Sequence, residues 1–385
     1  MSTKAWRIAV VKDTSTPMLG LHGLHVAFRG LPNVDVVAHV DANTDDLARK
    51  MSATRARRHY ATLPEMLASD SPDIVVLCSR HPHDHLPMIK ACAEAGSHVY
   101  CEKPMTASLL EADRIVEIAE QAGIHVCMAH PSRYALAFRT MKRMLEAGEI
   151  GRPLTVCGRG KCDHRGGGED LIVLGTHILD LQIFFFGPPE YVYADITQDG
   201  RPIVKGDRVE TVEPIGPAAG DSIFAQFRFA DDVRGLFESR RGLYDRASGM
   251  TQMGITVVGT EGVLSLRFDD YETRTLRISR GPGALEYGRS FEDVPLTEDR
   301  AIPGAEPLDY SLCGQRDIPS ATFFLEANRF AAWDLMRAIE EERPPMSSAY
   351  NARLTQEMIE GVYAAHLSGG RADFPLRDRT HPLGE

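Results

Sequence analysis

Five short, β-branched and nearly continuous apolar runs mark the first third of the chain: Arg7–Val11, Val34–Val40, Asp73–Cys78, His98–Cys101 and His125–Ala129. Runs of this length and continuity are expected of strands buried on both faces. Helical periodicity lies between them. Residues 85–95 and 108–122 are the clearest segments, the second with Ala112, Ile115, Val116, Ala119 and Ala122 along one stripe. Strands alternating with helices predict a parallel sheet with right-handed crossovers, hence a doubly wound nucleotide-binding domain over residues 1–130. Beyond it, Ile223, Ala225, Phe227 and Phe229 alternate with Ser222, Gln226 and Arg228, the signature of a half-buried strand. Phe324, Ala327, Ala331, Leu335 and Ala338 form a helical stripe that ends before Arg343-Pro344-Pro345. Residues 197–220 and 281–320 read as long Gly/Pro-rich loops, expected to cover an active site or clasp a neighbouring subunit.

In such a sheet, ligands bind outside the carboxyl ends of the strands. Cys101-Glu102-Lys103-Pro104 closes the fourth run and so carries Lys103 to that edge, although a lysine before a helix-starting proline is also what an ordinary loop presents. Asp41 directly follows the second run, where a carboxylate accepts hydrogen bonds from the ribose hydroxyls of NAD and repels the extra phosphate of NADP. The same aspartate also suits a plain turn before Asn43.

With these runs go Glu102-Lys103-Pro104, His85 ahead of Ala95-Gly96-Ser97-His98, Arg133-Tyr134, and Glu146-Ala147-Gly148-Glu149-Ile150-Gly151. Further on come Gly175-Thr176-His177-Ile178-Leu179-Asp180 and Val258-Gly259-Thr260-Glu261-Gly262. In this order and spacing the chain resembles the Gfo/Idh/MocA family, the relatives of glucose-fructose oxidoreductase and inositol dehydrogenase. The resemblance implies an α/β protein: an N-terminal Rossmann domain (1–130), then a C-terminal α/β domain (131–385) with an open, mostly antiparallel sheet used for oligomerisation, as a homodimer or homotetramer. It also implies that the final helices pack back on the first domain, and that the activity is oxidation or reduction of sugars and cyclitols with NAD or NADP. Lys103 and His177 are the catalytic candidates; Lys12, Thr14, Ser15, Asp41, Ser79, Arg80, His85, Glu102 and Lys103 form the cofactor set. Arg133, Tyr134, Lys161, Asp163, His164, Glu169, Asp170 and Asp180 form the substrate set.

Two positions depart from the family pattern. Where G-x-G-x-x-G is usual, residues 12–23 read KDTSTPMLGLHG, so the hydroxyls of Thr14, Ser15 and Thr16 and the Lys12 charge would stand in for glycine amides around a diphosphate. Asp13 would oppose the same phosphate. Four residues before His177, where a helix would place an Asp on the same face, stands Val173. Glu169 and Asp170 lie upstream and Asp180 one turn downstream; Asp170 is equally a candidate N-cap of a helix running through Phe186. Residues 159–165, RGKCDHR, suit either a solvated loop or a loop that binds substrate hydroxyls or a carboxylate, as on an acidic sugar.

Composition narrows the partners. Of the 385 residues, 43 are Lys or Arg and 54 Asp or Glu, a formal charge of −11 that argues against nucleic acid and anionic membranes. Seven scattered cysteines without a C-x-x-C pair imply neither a disulfide framework nor a zinc cluster, and no metal is expected, the alternating His81, His83 and His85 included. No apolar run reaches the roughly 18 residues a spanning helix needs, so the cytoplasm is expected. The expected activity is NAD-dependent hydride transfer at a secondary hydroxyl of a sugar, cyclitol or polyol. His177 would be the general base, since imidazole titrates near neutrality, and Lys103 would polarise the oxygen or itself take the proton. Redox-assisted glycoside cleavage or elimination with tightly held NAD, and a non-catalytic sensor, are the alternatives.

Overall fold

The computed structural model describes residues 5–15, 22–209, 211, 213–244, 253–268, 276–281, 290–297, 301–313 and 321–384. It divides into two compact units. The first comprises Met1–Thr106, Glu111–Tyr134 and Asp299–Ala352, and the second Ala107–Leu110, Ala135–Glu298 and Arg353–Glu385.

In the first unit, the strands β1 (Trp6–Val11), β2 (Val34–Val40), β3 (Arg58–Tyr60), β4 (Ile74–Leu77), β5 (His98–Cys101) and β6 (Val126–Met128) alternate with helices. These are α1 (Leu47–Thr54), α2 (Leu63–Ser69), α3 (Pro82–Glu94) and α4 (Leu109–Ala122). All six strands are parallel, in the order β3-β2-β1-β4-β5-β6. The order reverses between β1 and β4, and the crevice at their carboxyl ends is where this topology accepts a ligand. On α4 the buried side is Leu109, Ala112, Ile115, Ile118 and Ala119, whereas Ala122 is exposed in the last turn. The unit is not one continuous stretch because its core needs a late helix: Ala331, Ala332 and Leu335 of Ala321–Glu340 pack with Trp6, Ile8, Val10 and Tyr100. The Tyr100 hydroxyl donates to Asn328 Oδ1 of that helix at 2.8 Å, satisfying a polar group that would otherwise be costly to bury.

The second unit opens with α5 (Leu136–Glu146), β7 (Pro153–Arg159), α6 (Gly168–Val173) and α7 (Gly175–Phe186). A run of strands follows: β8 (Tyr191–Gln198), β9 (Arg201–Pro202), β10 (Ser222–Arg228), β11 (Arg234–Arg240), β12 (Gly254–Gly259), β13 (Gly262–Arg267), β14 (Arg277–Arg280) and β15 (Glu292–Asp293). The Ala321–Glu340 helix is α8, and α9 (Ala349–Ser368) and β16 (Ala372–Asp373) end the chain. The sheet runs β15-β14-β13-β12-β7-β11-β10-β8-β16 with β9 on β8; among the described pairs β7 and β11 are parallel and the others antiparallel. On β10, Ile223, Ala225 and Phe227 are buried, whereas Phe224 on the opposite face is exposed. Helix α7 lies on β7 and β11 at short range. A Cβ on Gly158 would stand 2.2 Å from Ile178 Cγ2, and one on Gly175 2.8 Å from Phe237 Cζ, so both positions need the missing side chain.

Of the two long loops, 197–220 contains β9 and a short helical turn at Lys205–Asp207, held by Arg201 on Asp207. Much of 281–320 lies outside the described residues.

Candidate active site

The carboxyl ends of β1, β4 and β5 bring Lys12, Ser79, Arg80, Glu102 and Lys103 to one edge of the first unit's sheet. Lys103 is 2% exposed and follows β5 directly; its peptide with Pro104 is cis. A buried ammonium is unfavourable without a counter-charge, and Glu102, itself buried, is the adjacent anion. Burial pushes the Glu102 carboxyl up, but His22, Lys103 and Arg80 outweigh it and hold the group at about 2. Its two oxygens have separate tasks: Oε1 accepts from Lys103 N at 2.9 Å, and Oε2 meets His22 Nδ1 at 3.2 Å. His22 is fixed by ring stacking on Phe324, with centroids 4.8 Å apart, and by its carbonyl, which accepts from Asn328 Nδ2 at 2.6 Å.

His85 is fully buried, with Nδ1 on Met105 O and Nε2 on Ser79 O, both at 2.9 Å. It therefore staples the loop after β4 to the loop after β5. The Ser79 hydroxyl donates to Asp84 at the start of α3 and accepts from His81 N.

Asp41, at the end of β2, does not present an open carboxylate. It is 0% exposed, and its four acceptor positions are filled: Oδ1 by Thr14 N and Asn43 N, both at 2.9 Å, and Oδ2 by Thr14 Oγ1 and Lys50 Nζ, both at 2.8 Å. Burial raises the group, but these donors win and its pKa lies below the usual carboxylate value. Thr14 thus faces Asp41, while Ser15 is exposed with its N–H on Asp13 Oδ1. Thr16 lies outside the described residues. The Lys12 ammonium is lowered by burial, opposed by Asp41. His39, on the strand before Asp41, has both ring nitrogens buried without hydrogen-bond partners among the described residues, and burial lowers it to about 4.

In the second unit, His177 and Asp180 sit three residues apart on α7 and so share a face; His177 is 7% exposed and Asp180 is fully buried. The expected single helix through Phe186 is two. Helix α6 stops at Val173 and Leu174 has φ −119°, so Val173 and His177 are not on one continuous helix, and His177 N instead bonds Leu174 O at 3.1 Å. Asp170 is not the N-cap either, a position held by Gly167. Its carboxylate reaches back to Lys161 N at 3.2 Å, Cys162 N at 3.1 Å and the Ser239 hydroxyl at 2.5 Å, which anchors the loop after β7. Burial raises Asp170 in spite of these bonds.

Within that loop Arg165 bridges Asp163 at 2.8 Å and Glu213 at 2.9 Å, and Lys161 lies 3.6 Å from Asp163. Burial lifts Asp163, yet Arg165 and Lys161 prevail and hold it at about 2. Lys161 is lowered by burial and by Arg165. His164 is exposed, and Glu169 accepts from Glu213 N at 3.2 Å. The charged density of 159–165 is thus largely paired within itself.

Arg133 and Tyr134 belong to the first unit's core. The Tyr134 hydroxyl donates to Asp334 Oδ2 at 3.0 Å and accepts from Ser347 N at 3.1 Å, and Arg133 donates to Met346 O at 3.0 Å. These bonds give the pair a structural task. The sequence pointed to neither His22 as the partner of Glu102 nor Lys50 as that of Asp41. No local pattern joins residues 80 positions apart, or one helix position to a strand end. Lys12 and Arg80 at the carboxyl edge are cations that fit the negative charge of a dinucleotide diphosphate. Among the described residues, no three His, Cys, Asp or Glu side chains converge as metal ligands, and no helix is long and apolar enough to cross a membrane.

Comparison with known proteins covers both units. A model described as "Oxidoreductase family, NAD-binding Rossmann fold" matches residues 21–130, and the "GFO/IDH/MocA C-terminal domain" model matches residues 138–265. Myo-inositol 2-dehydrogenase of Thermotoga maritima is 28% identical over 227 residues, 58% of this chain and 64% of that protein. D-apiose dehydrogenase of Paraburkholderia graminis is 29% identical over 196 residues, 48% of this chain and 52% of that one. The matches thus span less than two thirds of these relatives' lengths. A structure of levoglucosan dehydrogenase with NADH and L-sorbose superposes with a TM-score of 0.73 at 19% identity, covering 97% of this chain and all of the other, a likeness of fold.

Proposed function

The chain belongs to the Gfo/Idh/MocA oxidoreductase family, and from that premise we propose that it is an NAD-dependent dehydrogenase acting on a secondary hydroxyl of a sugar, cyclitol or related polyol. The observation that carries the proposal is Lys103, a buried ammonium at the carboxyl end of β5 beside an ionised Glu102. A lysine held there is unfavourable for stability and useful for chemistry. Relatives named as inositol and apiose dehydrogenases support the substrate class.

Bound NAD supplies the acceptor for the hydride that leaves the substrate carbon. In this proposal the Lys103 ammonium stabilises the negative charge that develops on the substrate oxygen, and Glu102 fixes it through the Lys103 backbone N–H. His177 takes the hydroxyl proton as general base, and Asp180 shares its helix face. Six described cysteines are all free, which suits the reducing cytoplasm. Exposed Phe224 and Tyr193 on one face of the second unit's sheet support a homo-oligomer formed through that face.

The test is NADH titration by fluorescence, followed by absorbance at the nicotinamide band with NAD and a panel of cyclitols, pentoses and hexoses. Absence of NADH binding, or binding without reduction by any panel member, refutes the proposal.

A further inference from the structure

Of residues 12–23, which stand where the family's glycine pattern is usual, His22 reaches the loop after β5. Its Nδ1 lies 3.2 Å from Glu102 Oε2, and Glu102 Oε1 accepts from Lys103 N at 2.9 Å. A carboxylate only accepts, so a neutral imidazole at that distance carries its proton on Nδ1 and donates it. Burial lowers the His22 pKa, although Glu102 opposes the shift, so the neutral form is the one present at neutral pH. The residue is held from a third element. Its ring stacks on Phe324 of α8 with centroids 4.8 Å apart and 20° between the planes, and its carbonyl accepts from Asn328 Nδ2 at 2.6 Å. Asn328 Oδ1 in turn accepts the Tyr100 hydroxyl at 2.8 Å, so one side chain of α8 ties His22 to the strand that leads into Lys103.

We infer that His22 is a positioning residue for Lys103: its Nδ1–H fixes the Glu102 carboxylate, and the carboxylate fixes the lysine. This rests on the dehydrogenase proposal above and deepens it. Glu102 is 3% exposed, so water has little access to replace a donor lost from Oε2. Lys103 and Arg80 both attract the carboxylate electrostatically. Released from His22, it turns toward one of these cations about its last side-chain torsion, whose energy profile is broad. Oε1 then leaves Lys103 N, and the ammonium that stabilises the substrate oxygen in the proposed reaction loses its fixed place. The imidazole therefore has two separable tasks, packing on Phe324 and donating to Glu102.

The experiment compares the full-length wild type with His22→Phe, which keeps a ring against Phe324 and removes the donor, and His22→Asn, which removes the ring and places an amide N–H near the position of Nδ1. Turnover is followed with NAD and the panel member that the wild type oxidises, and NADH affinity by fluorescence. His22→Phe should lower kcat at least about tenfold, with KM and the NADH Kd within about threefold of wild type. His22→Asn should restore most of that loss, whereas a purely packing role would reverse the order, with the loss in His22→Asn and none in His22→Phe. Imidazole ¹⁵N spectra of the cofactor-free wild type, with His22 assigned by the signals that vanish in His22→Asn, should show the Nδ1–H tautomer. The Nε2–H tautomer overturns the inference even where His22→Phe fails to fold. Full turnover in His22→Phe, or His22→Asn no better than His22→Phe, also overturns it alone. A wild type that oxidises no panel member overturns the dehydrogenase proposal and this one with it.

Discussion

Replacing Glu360 by Gln should make the protein more stable at neutral pH and leave it nearly unchanged below about pH 4. Glu360 lies on α9 and is 0% exposed. Its Oε1 accepts from Leu109 N at 2.6 Å and Gln356 Nε2 at 3.1 Å, while Oε2 has no hydrogen-bond partner among the described residues. Burial raises the carboxyl to about 7, against the lowering effect of those two bonds and of Arg379, with Glu357 adding to the rise. In the unfolded chain a glutamate titrates near 4.3. Between roughly pH 4.5 and 7 the folded protein therefore binds more protons than the unfolded one, and stability falls as pH rises through that window, then levels above it. A difference of about 2.7 units at 1.36 kcal/mol each sets the total loss at about 3.5 kcal/mol. Glutamine keeps an acceptor for Leu109 N and carries no charge to bury. Urea unfolding of both proteins at pH 5, 6, 7 and 8 isolates the effect, because other titrations cancel in the difference. The Gln variant's advantage should grow from about 1 kcal/mol at pH 5 to about 3.5 kcal/mol at pH 8. A difference that stays flat, or shrinks as pH rises, would refute the assignment of a neutral buried carboxyl.

Lys103→Met and His177→Ala should each lower turnover on the order of a hundredfold with NADH affinity nearly intact, read by steady-state kinetics and fluorescence titration; near-full turnover in His177→Ala removes it as the base. Asp170→Ala would strip three donors of their acceptor, Lys161 N, Cys162 N and the Ser239 hydroxyl, and should cost about 3 kcal/mol in urea unfolding; a loss under about 1 kcal/mol would show that the loop does not depend on it. Light scattering at micromolar concentration should find a homo-oligomer that Phe224→Arg weakens, and a strict monomer in the unmodified protein would remove the sheet-face interface.

The alternation of apolar runs and helical stripes was enough to place β1, β2, β4, β5 and β6 and the helices α3 and α4, because those strands are largely buried and write that burial into consecutive residues, whereas β3, three exposed or half-buried residues, leaves no such run. Lys103 was legible for the same reason: a strand's end locates the edge of the sheet, whatever packs around it. The break at Leu174 was not, since α6 and α7 read as one apolar segment and nothing in the local pattern marks the position where the backbone leaves the helix. Nor were the destinations of the polar side chains. Tyr134 and Arg133 stood in the substrate set by resemblance, and the buried bonds they make depend on Asp334, Met346 and Ser347, which return from 200 or more residues away. Asp41 stands at the strand end that the sequence assigns, yet whether its carboxylate faces a ribose or a lysine depends on where α1 places Lys50. Periodicity is a local property and survives in the sequence; the pairing of buried charges belongs to chain segments that only the tertiary structure brings within 3 Å of one another.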